Sequence, residues 1–143
     1  MLKHIPDIIS PDLMRVLMDM GHGDELILGD ANFPAAEVAR RLVYAKGNDI
    51  PELLEAILKF FPLDEHSEKP VGLMQPGPQF DGLPKVWDEY RAVLGRSDEN
   101  NRFTDFEYID RFKFYERAQN AFAVVNTSET ALFANVILKK GFI

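Results

Sequence analysis

The chain has 143 residues and a mass of 16.3 kDa, the usual size of one domain, so we expect a single domain over residues 1–143. Its 16 basic and 23 acidic residues give a net charge of −7, which argues against binding to nucleic acid or to anionic membrane surfaces. Because cysteine, long apolar runs and a signal peptide are all missing from the sequence, we expect no disulfide or zinc–thiolate site, and a cytoplasmic protein.

The first half of the chain predicts alternating helices and strands. One helix begins at Ser10, whose hydroxyl can cap it, and continues with apolar residues at helical spacing. A later helix opens at Asp49 and Glu52, which have the spacing of a capping box. The short apolar segments around these helices are predicted strands: Glu25–Gly29, Arg41–Ala45 and Pro70–Met74.

The second half continues the alternation. A helix starts at Pro84, Ser97–Asn101 is a polar loop, and a helix over Arg111–Asn120 is followed by strands at Ala121–Val125 and Phe133–Leu138. This order favours an α/β fold with a sheet covered on both faces. Because a short connection joins the last two strands, we expect at least one antiparallel pair and therefore a mixed sheet.

His22 is the main candidate for a side chain that transfers protons. It lies between Gly21 and Gly23, at the junction of a predicted helix and a predicted strand. The two glycines let the backbone turn tightly and leave the imidazole uncrowded. Imidazole titrates near neutral pH and can both give and accept a proton, as general acid–base catalysis requires. The alternative interpretation is a surface loop histidine without a chemical role.

Three further polar residues stand where a ligand can be bound. Asp30 ends a predicted strand, a common place for functional groups in α/β sheets, although a turn aspartate is an equal alternative. Arg111 opens an aromatic helix and can donate to polar oxygens, although a solvated charge is the alternative. Asn135 shares a predicted strand face with Phe133 and Ile137, and is either a structural amide or a ligand contact.

Several common site motifs do not occur in the sequence. It has no glycine-rich phosphate loop, no cluster of metal ligands at a recognisable spacing and no serine in a nucleophile elbow. Nucleotide binding, a metal centre and serine-dependent hydrolysis therefore have no motif to support them.

Taken together, four segments resemble the family that contains L-fucose mutarotases and D-ribose pyranases. The resemblance covers essentially the whole chain, with the same order and nearly the same spacing of motifs. Within the family, the His-Gly-Asp-Glu and Asn-Phe-Pro sequences are similar to the fucose branch. The segments are Gly21–Glu25, Asp30–Pro34, Arg111–Gln119 with Ala121–Ala123, and Asn135 leading into Leu138–Gly141.

The resemblance implies a three-layer α/β/α fold with a mixed central sheet, and neither a cofactor nor a metal. It also implies a monosaccharide site at a subunit interface of a ring-shaped homo-oligomer, often a decamer. By the same resemblance His22 is the proton donor, and Asp30 and Arg111 bind the sugar.

The family's Tyr-small-Asn triplet falls on Phe133, Ala134 and Asn135, which the resemblance makes sugar-binding residues. The chain departs from the pattern at Phe133, because a phenyl ring keeps an apolar face for the sugar but lacks the tyrosine hydroxyl.

The expected activity is interconversion of the α and β anomers of a free monosaccharide, most simply L-fucose. It proceeds by acid–base opening and closing of the sugar ring. One alternative is a D-ribose pyranase-type activity, which uses the same open-chain intermediate. Another is a sugar-binding or regulatory protein without turnover, of which Phe133 would be the mark.

Overall fold

The structure is a computed structural model that describes all 143 residues. It contains six strands and five helices. In chain order they are α1 (Pro11–Asp19), β1 (Glu25–Gly29), α2 (Ala35–Val38), β2 (Leu42–Ala45), α3 (Ile50–Leu58), β3 (Val71–Met74), α4 (Val86–Ser97), β4 (Glu107–Ile109), α5 (Arg111–Asn120), β5 (Ala123–Thr127) and β6 (Val136–Lys139).

All six strands form one mixed sheet in the order β2-β5-β1-β6-β3-β4. Five strands run parallel to one another, and β6 runs antiparallel to both of its neighbours, β1 and β3. The predicted mixed sheet is therefore confirmed, but the last two strands of the chain do not pair. Strand β1 lies between β5 and β6, so the antiparallel pairs are β1–β6 and β3–β6.

Helices cover the sheet on both faces, which confirms the α/β fold with three layers. Alternate residues of β1 show the two faces: Leu26 and Leu28 belong to the larger core cluster, whereas Ile27 belongs to the smaller one. The larger core is packed under α1, α3 and α4, and the smaller one under α2 and α5. No helix is long and apolar enough to cross a membrane.

Three sequence predictions need correction. Asp49 precedes α3 as expected, but its side chain makes no capping bond; the Ile50 amide donates to the Glu129 carboxylate at 3.2 Å instead. Strand β4 was not expected. The last strand begins at Val136, so residues 133–135 form a loop before it.

Candidate active site

The sheet separates the sequence-predicted site residues into two groups. Gly23 and Asp24 separate His22 from the start of β1, whereas Asp30 immediately follows the strand, so the two residues lie at opposite ends of β1. The five-residue strand between them spans roughly 17 Å at about 3.3 Å per residue. No monosaccharide can touch both side chains in one copy of the chain. We call the side of the sheet where the amino end of β1 emerges the His22 edge, and the side where its carboxyl end emerges the Asp30 edge.

At the His22 edge, a tight turn holds the imidazole. Gly23 has a φ of 86°, in the left-handed region that glycine adopts without strain. Its amide donates to the Lys140 carbonyl at 2.8 Å, and the Gly21 amide donates to Asp24 Oδ2 at 2.7 Å. These bonds tie the turn to the end of β6, so the backbone of His22 is fixed before any ligand binds.

Asp64 orients the His22 ring. The His22 Nε2 atom lies 2.9 Å from Asp64 Oδ1, and the Asp64 side chain is only 3% exposed. Burial alone would raise the pKa of this carboxyl. Hydrogen bonds from the Ser67 hydroxyl, the His22 ring and the His66 amide outweigh burial and lower the Asp64 pKa to about 2.

This arrangement selects the tautomer of His22. An ionised carboxylate can only accept hydrogen bonds, so Nε2 must carry a hydrogen and donate it to Asp64. The lone pair of a neutral ring is therefore on Nδ1. The His22 side chain is 43% exposed, and Nδ1 is the ring nitrogen that the buried Asp64 anion leaves without a partner.

Contrary to the sequence prediction, the imidazole is not uncrowded. The His22 ring centroid lies 5.3 Å from that of His66 and 5.0 Å from that of Phe142, which meets it edge-on. The rings of His66 and Phe142 also stack on each other at 5.7 Å. His22 thus belongs to a cluster of three aromatic rings, defined by His22, His66 and Phe142.

At the Asp30 edge, Asp30 and Asn135 are joined directly. The Asp30 amide donates to the Asn135 side-chain oxygen at 2.8 Å, and the Asp30 carboxylate accepts from the Asn32 amide at 2.9 Å. Burial raises the pKa of Asp30, although hydrogen bonds from Asn32, Phe33 and Asn135 oppose the rise. Asn135 is buried, so its polar atoms need partners within the protein, and the Asp30 amide is the partner of its side-chain oxygen.

Helix α4 fixes the loop that carries Phe133 and Ala134. The Trp87 indole donates to the Phe133 carbonyl at 2.9 Å, and the Tyr90 hydroxyl donates to the Ala134 carbonyl at 2.6 Å. Phe133 has a φ of 56°, which is incompatible with the predicted strand. Its ring contacts Phe80 edge-on, with the centroids 4.9 Å apart.

Arg111 opens α5 at the same edge, since α5 follows the end of β4. The Asp110 side chain caps the helix and leaves the exposed Arg111 side chain free of ion pairs within the chain. Its guanidinium lies 5.6 Å from the centre of the Tyr115 ring, which stacks on Phe33 at 5.6 Å. The stack links α5 to the loop after Asp30.

A buried glutamate, Glu129, braces the Asp30 edge. Glu129 is 93% buried; its backbone carbonyl accepts from the Ala31 amide at 2.8 Å, and its carboxylate accepts from the Ala131 and Ile50 amides. Its negative charge also contributes to the raised pKa of Asp30.

The sequence analysis also missed Asp64 and Tyr115 as site residues. No local pattern marks Asp64, which stands 42 positions from His22. Tyr115 was visible only as one ring of an aromatic helix. No group of three or more histidine, cysteine, aspartate or glutamate side chains is arranged to hold a metal ion.

Comparison with known proteins gives a consistent set of relatives. A model of the RbsD / FucU transport protein family matches residues 3–143. The fucose mutarotase of Danio rerio is 46% identical over 147 residues, which cover 99% of this chain and 94% of the relative. The crystal structure of the fucose mutarotase from Streptococcus pneumoniae in complex with L-fucose superposes with a TM-score of 0.91 at 46% identity, covering 99% of both chains. Bacillus subtilis RbsD complexed with D-ribose has a TM-score of 0.73 at 19% identity, with 100% of this chain and 99% of that chain covered, and shares the fold.

Proposed function

This chain belongs to the RbsD / FucU transport protein family, and from that premise we propose that it is an isomerase that interconverts the α and β anomers of L-fucose. The observation that carries the proposal is the likeness to the Streptococcus pneumoniae fucose mutarotase, which was crystallised with L-fucose and matches over 99% of both chains. The His22–Asp64 pair supplies an acid–base group suited to this reaction.

Anomer exchange needs two proton transfers in each direction. A base takes the proton of the anomeric hydroxyl, O1–H, while an acid delivers a proton to the ring oxygen O5 as the C1–O5 bond breaks. The product is the open-chain aldehyde with a hydroxyl at O5. Rotation of the aldehyde and reversal of both transfers close the ring with the opposite configuration at C1, and no net proton is gained or lost.

His22 is the group we assign to the O1 proton. With Nε2–H bound to Asp64, Nδ1 is the nitrogen left to accept the O1 proton from the sugar and later return it. The ionised Asp64 stabilises the imidazolium formed in between, as a charge at hydrogen-bond distance does. General acid–base catalysis of this kind contributes about 10²–10⁴-fold to a rate.

Sugar binding is the role we propose for the Asp30 edge. The Asp30 carboxylate and the Arg111 guanidinium are hydroxyl ligands of opposite hydrogen-bonding type, one accepting and the other donating. Phe133, Ala134 and Asn135 complete this edge on the loop anchored by α4, with the phenyl ring against the apolar side of the pyranose.

We further propose that one active site combines the His22 edge of one subunit with the Asp30 edge of another, in a cytoplasmic homo-oligomer. The separation of roughly 17 Å along β1 supports this arrangement, because the two half-sites cannot close on a sugar within one copy. The resemblance to a family with ring-shaped oligomers points to the same arrangement.

The two alternatives make different predictions for exchange. D-Ribose pyranase activity has weaker support, since the ribose-bound neighbour is only 19% identical and shares the fold alone. A non-catalytic sugar-binding protein would retain the Asp30 edge and bind sugar without turnover.

Saturation-transfer NMR on L-fucose and on D-ribose separates these functions. We expect the wild-type protein to accelerate α–β exchange of L-fucose strongly and exchange of D-ribose weakly. Exchange of ribose alone would favour the pyranase, and binding without exchange would favour the non-catalytic protein.

The His22→Ala variant tests the assigned acid–base group. We expect exchange of L-fucose to fall by about 10²-fold or more, because His22 is the only imidazole whose ring is hydrogen-bonded to Asp64 and the variant removes it. His4→Asn is the control, since His4 is exposed and its left-handed φ of 67° suits asparagine. Unchanged exchange in His22→Ala, with circular dichroism that matches wild type, would remove His22 from the mechanism.

A further inference from the structure

The reaction needs a second proton-transferring group, and His22 has a second imidazole beside it. The His66 ring centroid lies 5.3 Å from that of His22, with the two ring planes tilted by 48°. His66 is exposed at the same edge of the sheet, and neither of its ring nitrogens has a hydrogen-bond partner in the chain. Phe142 stacks on His66 and meets His22 edge-on, so one hydrophobic ring restricts both imidazoles.

The backbone of His66 is fixed by the same carboxylate that orients His22. The His66 amide donates to Asp64 Oδ1 at 3.1 Å, and the Ser67 hydroxyl donates to Asp64 Oδ2 at 2.8 Å. One buried anion thus sets the positions of both histidines. Because one carboxylate holds both histidines, their relative position is fixed, and a reaction with two proton transfers requires this.

Resting on the proposed function, we propose that His66 is the second catalytic residue of the His22 edge and exchanges a proton with the ring oxygen O5. In ring opening, the O1 proton passes to His22 and a proton on the His66 ring passes to O5 as the C1–O5 bond breaks. In ring closure, the O5 hydroxyl returns its proton to His66 and His22 returns its proton to O1. The pair therefore ends each cycle with the protons it began with.

The spacing of the rings suits one proton transfer at O1 by His22 and another at O5 by His66. O1 and O5 are both bonded to C1, so the two protons move at neighbouring atoms of the sugar. The His22 and His66 rings are neighbours, with centroids 5.3 Å apart, so two imidazoles on one side of a sugar can serve these two neighbouring oxygens.

The charged groups around the pair are few. Asp64 is bound to His22, and Lys139 Nζ lies 3.9 Å from Asp64 Oδ2. Asp24 is held in the Gly21 turn, and Glu65 next to His66 is bound to Arg102 at 2.6 Å. The two imidazoles are thus the groups of this edge to which we assign the two proton transfers.

His66→Phe is the test, because it keeps a ring against Phe142 and His22 while it removes both nitrogens. We expect kcat for L-fucose exchange to fall about 10²-fold with KM changed less than about twofold, and the pH profile of kcat/KM to lose one of its two limbs. In His66→Ala, added imidazole should restore part of the lost exchange after the enzyme-free rate with imidazole is subtracted.

Each outcome decides between the two proposals. Exchange in His66→Phe within about twofold of wild type, with both limbs of the pH profile kept, overturns the role of His66 and leaves the mutarotase activity standing. A loss of activity that imidazole does not rescue and that leaves the shape of the pH profile unchanged assigns His66 to packing and also overturns the proposal. A wild-type protein that does not exchange L-fucose overturns both.

Discussion

At the scale of single residues, Asp64 determines what His22 can do. The carboxylate is buried, stays ionised at neutral pH and occupies Nε2 of the ring, so Nδ1 is the only ring nitrogen left for a ligand. A histidine on an open loop has no such preference between its two tautomers. The orientation of the base is therefore a property of the fold and does not depend on the substrate.

The same carboxylate should contribute to stability in a pH-dependent way. Its pKa is lowered from 3.8 to about 2, which corresponds to about 2 kcal/mol of unfolding free energy at 1.36 kcal/mol per pH unit. Because the pKa is lowered in the folded state, the stabilisation by Asp64 is complete above roughly pH 4–5 and is lost as the pH falls toward 2. We expect Asp64→Asn to lose about 2 kcal/mol at pH 7 and much less near pH 2, by urea unfolding at fixed chain concentration.

Asp19→Asn is the matched control for that measurement. Asp19 is exposed, and its ion pair with Arg15 at 3.7 Å should contribute less than about 1 kcal/mol. If Asp64→Asn is destabilised equally at pH 7 and near pH 2, its effect comes from lost packing and the ionised carboxylate is not the cause.

Phe133→Tyr tests the one position where the chain departs from the family pattern. The added hydroxyl should tighten L-fucose binding by roughly threefold to tenfold, the equivalent of about 0.5–1.5 kcal/mol for one hydrogen bond. We expect the same proton-transferring groups and hence an unchanged pH profile. Calorimetric titration of both proteins with L-fucose, D-ribose and D-galactose measures the effect; weaker binding of all three by the variant would show a pocket adapted to the phenyl ring.

At the scale of elements, α4 supports the Asp30 edge through side-chain hydrogen bonds to the loop before β6. Two aromatic side chains on one face of α4 donate to consecutive carbonyls before β6, and so hold a loop whose Phe133 has a left-handed φ. Burial raises the pKa of Tyr90, which keeps its hydroxyl a donor at all physiological pH values.

Tyr90→Phe removes one of these donors and leaves the Ala134 carbonyl without it. We expect a loss of about 1–3 kcal/mol in unfolding free energy and a higher KM for L-fucose, because the sugar-binding loop is less well fixed. Tyr44→Phe is the control, since Tyr44 is 61% exposed and should change stability by less than about 0.5 kcal/mol. A Tyr90→Phe variant with wild-type stability and KM would separate α4 from the site.

The elements also show where sequence patterns reach their limit. Helices with a clear apolar face, such as α1 and α3, were predictable from spacing, and so were the strands β1 and β3. Strand β4 has only three residues, too few for an alternation to be visible. The alternation from Phe133 to Leu138 predicts a strand throughout, but donors from α4, more than 40 positions away, bind the Phe133 and Ala134 carbonyls, and the strand begins only at Val136.

Some residues of the candidate site were likewise predictable from the sequence, and others were not. His22, Asp30 and Arg111 were accessible from motifs, because each stands at the end of an element. Asp64 and Glu129 were not, because their roles come from contacts 42 and 79 positions apart in the sequence. Residue order predicts that His22 and Asp30 lie at opposite ends of one strand; it does not predict which distant side chains contact them.

At the scale of the whole molecule, the opposite edges make a direct prediction about subunits. The His22→Ala and Asp30→Asn variants should each be inactive alone, whereas co-assembled mixtures should regain activity, because some interfaces then pair an intact His22 edge with an intact Asp30 edge. Exchange NMR on proteins denatured together and refolded together measures this recovery; separately refolded proteins, mixed without subunit exchange, are the control.

The prediction fails if the mixture stays inactive while native mass spectrometry, with one variant isotope-labelled, shows mixed oligomers. It also fails if the wild-type chain is a monomer of about 16 kDa with full activity, since a complete site would then exist within one copy.

The placement of one half-site before β1 and the other after it has a consequence for genetics. In the shared-site arrangement that we propose, every subunit takes part in two sites. Damage to one edge then removes one site per defective subunit, and activity falls in proportion to the wild-type fraction. A chain that carries both His22→Ala and Asp30→Asn but still assembles would damage the sites on both of its sides. Activity would then follow the square of the wild-type fraction, and such an allele would behave as partially dominant although the protein it encodes is merely inactive.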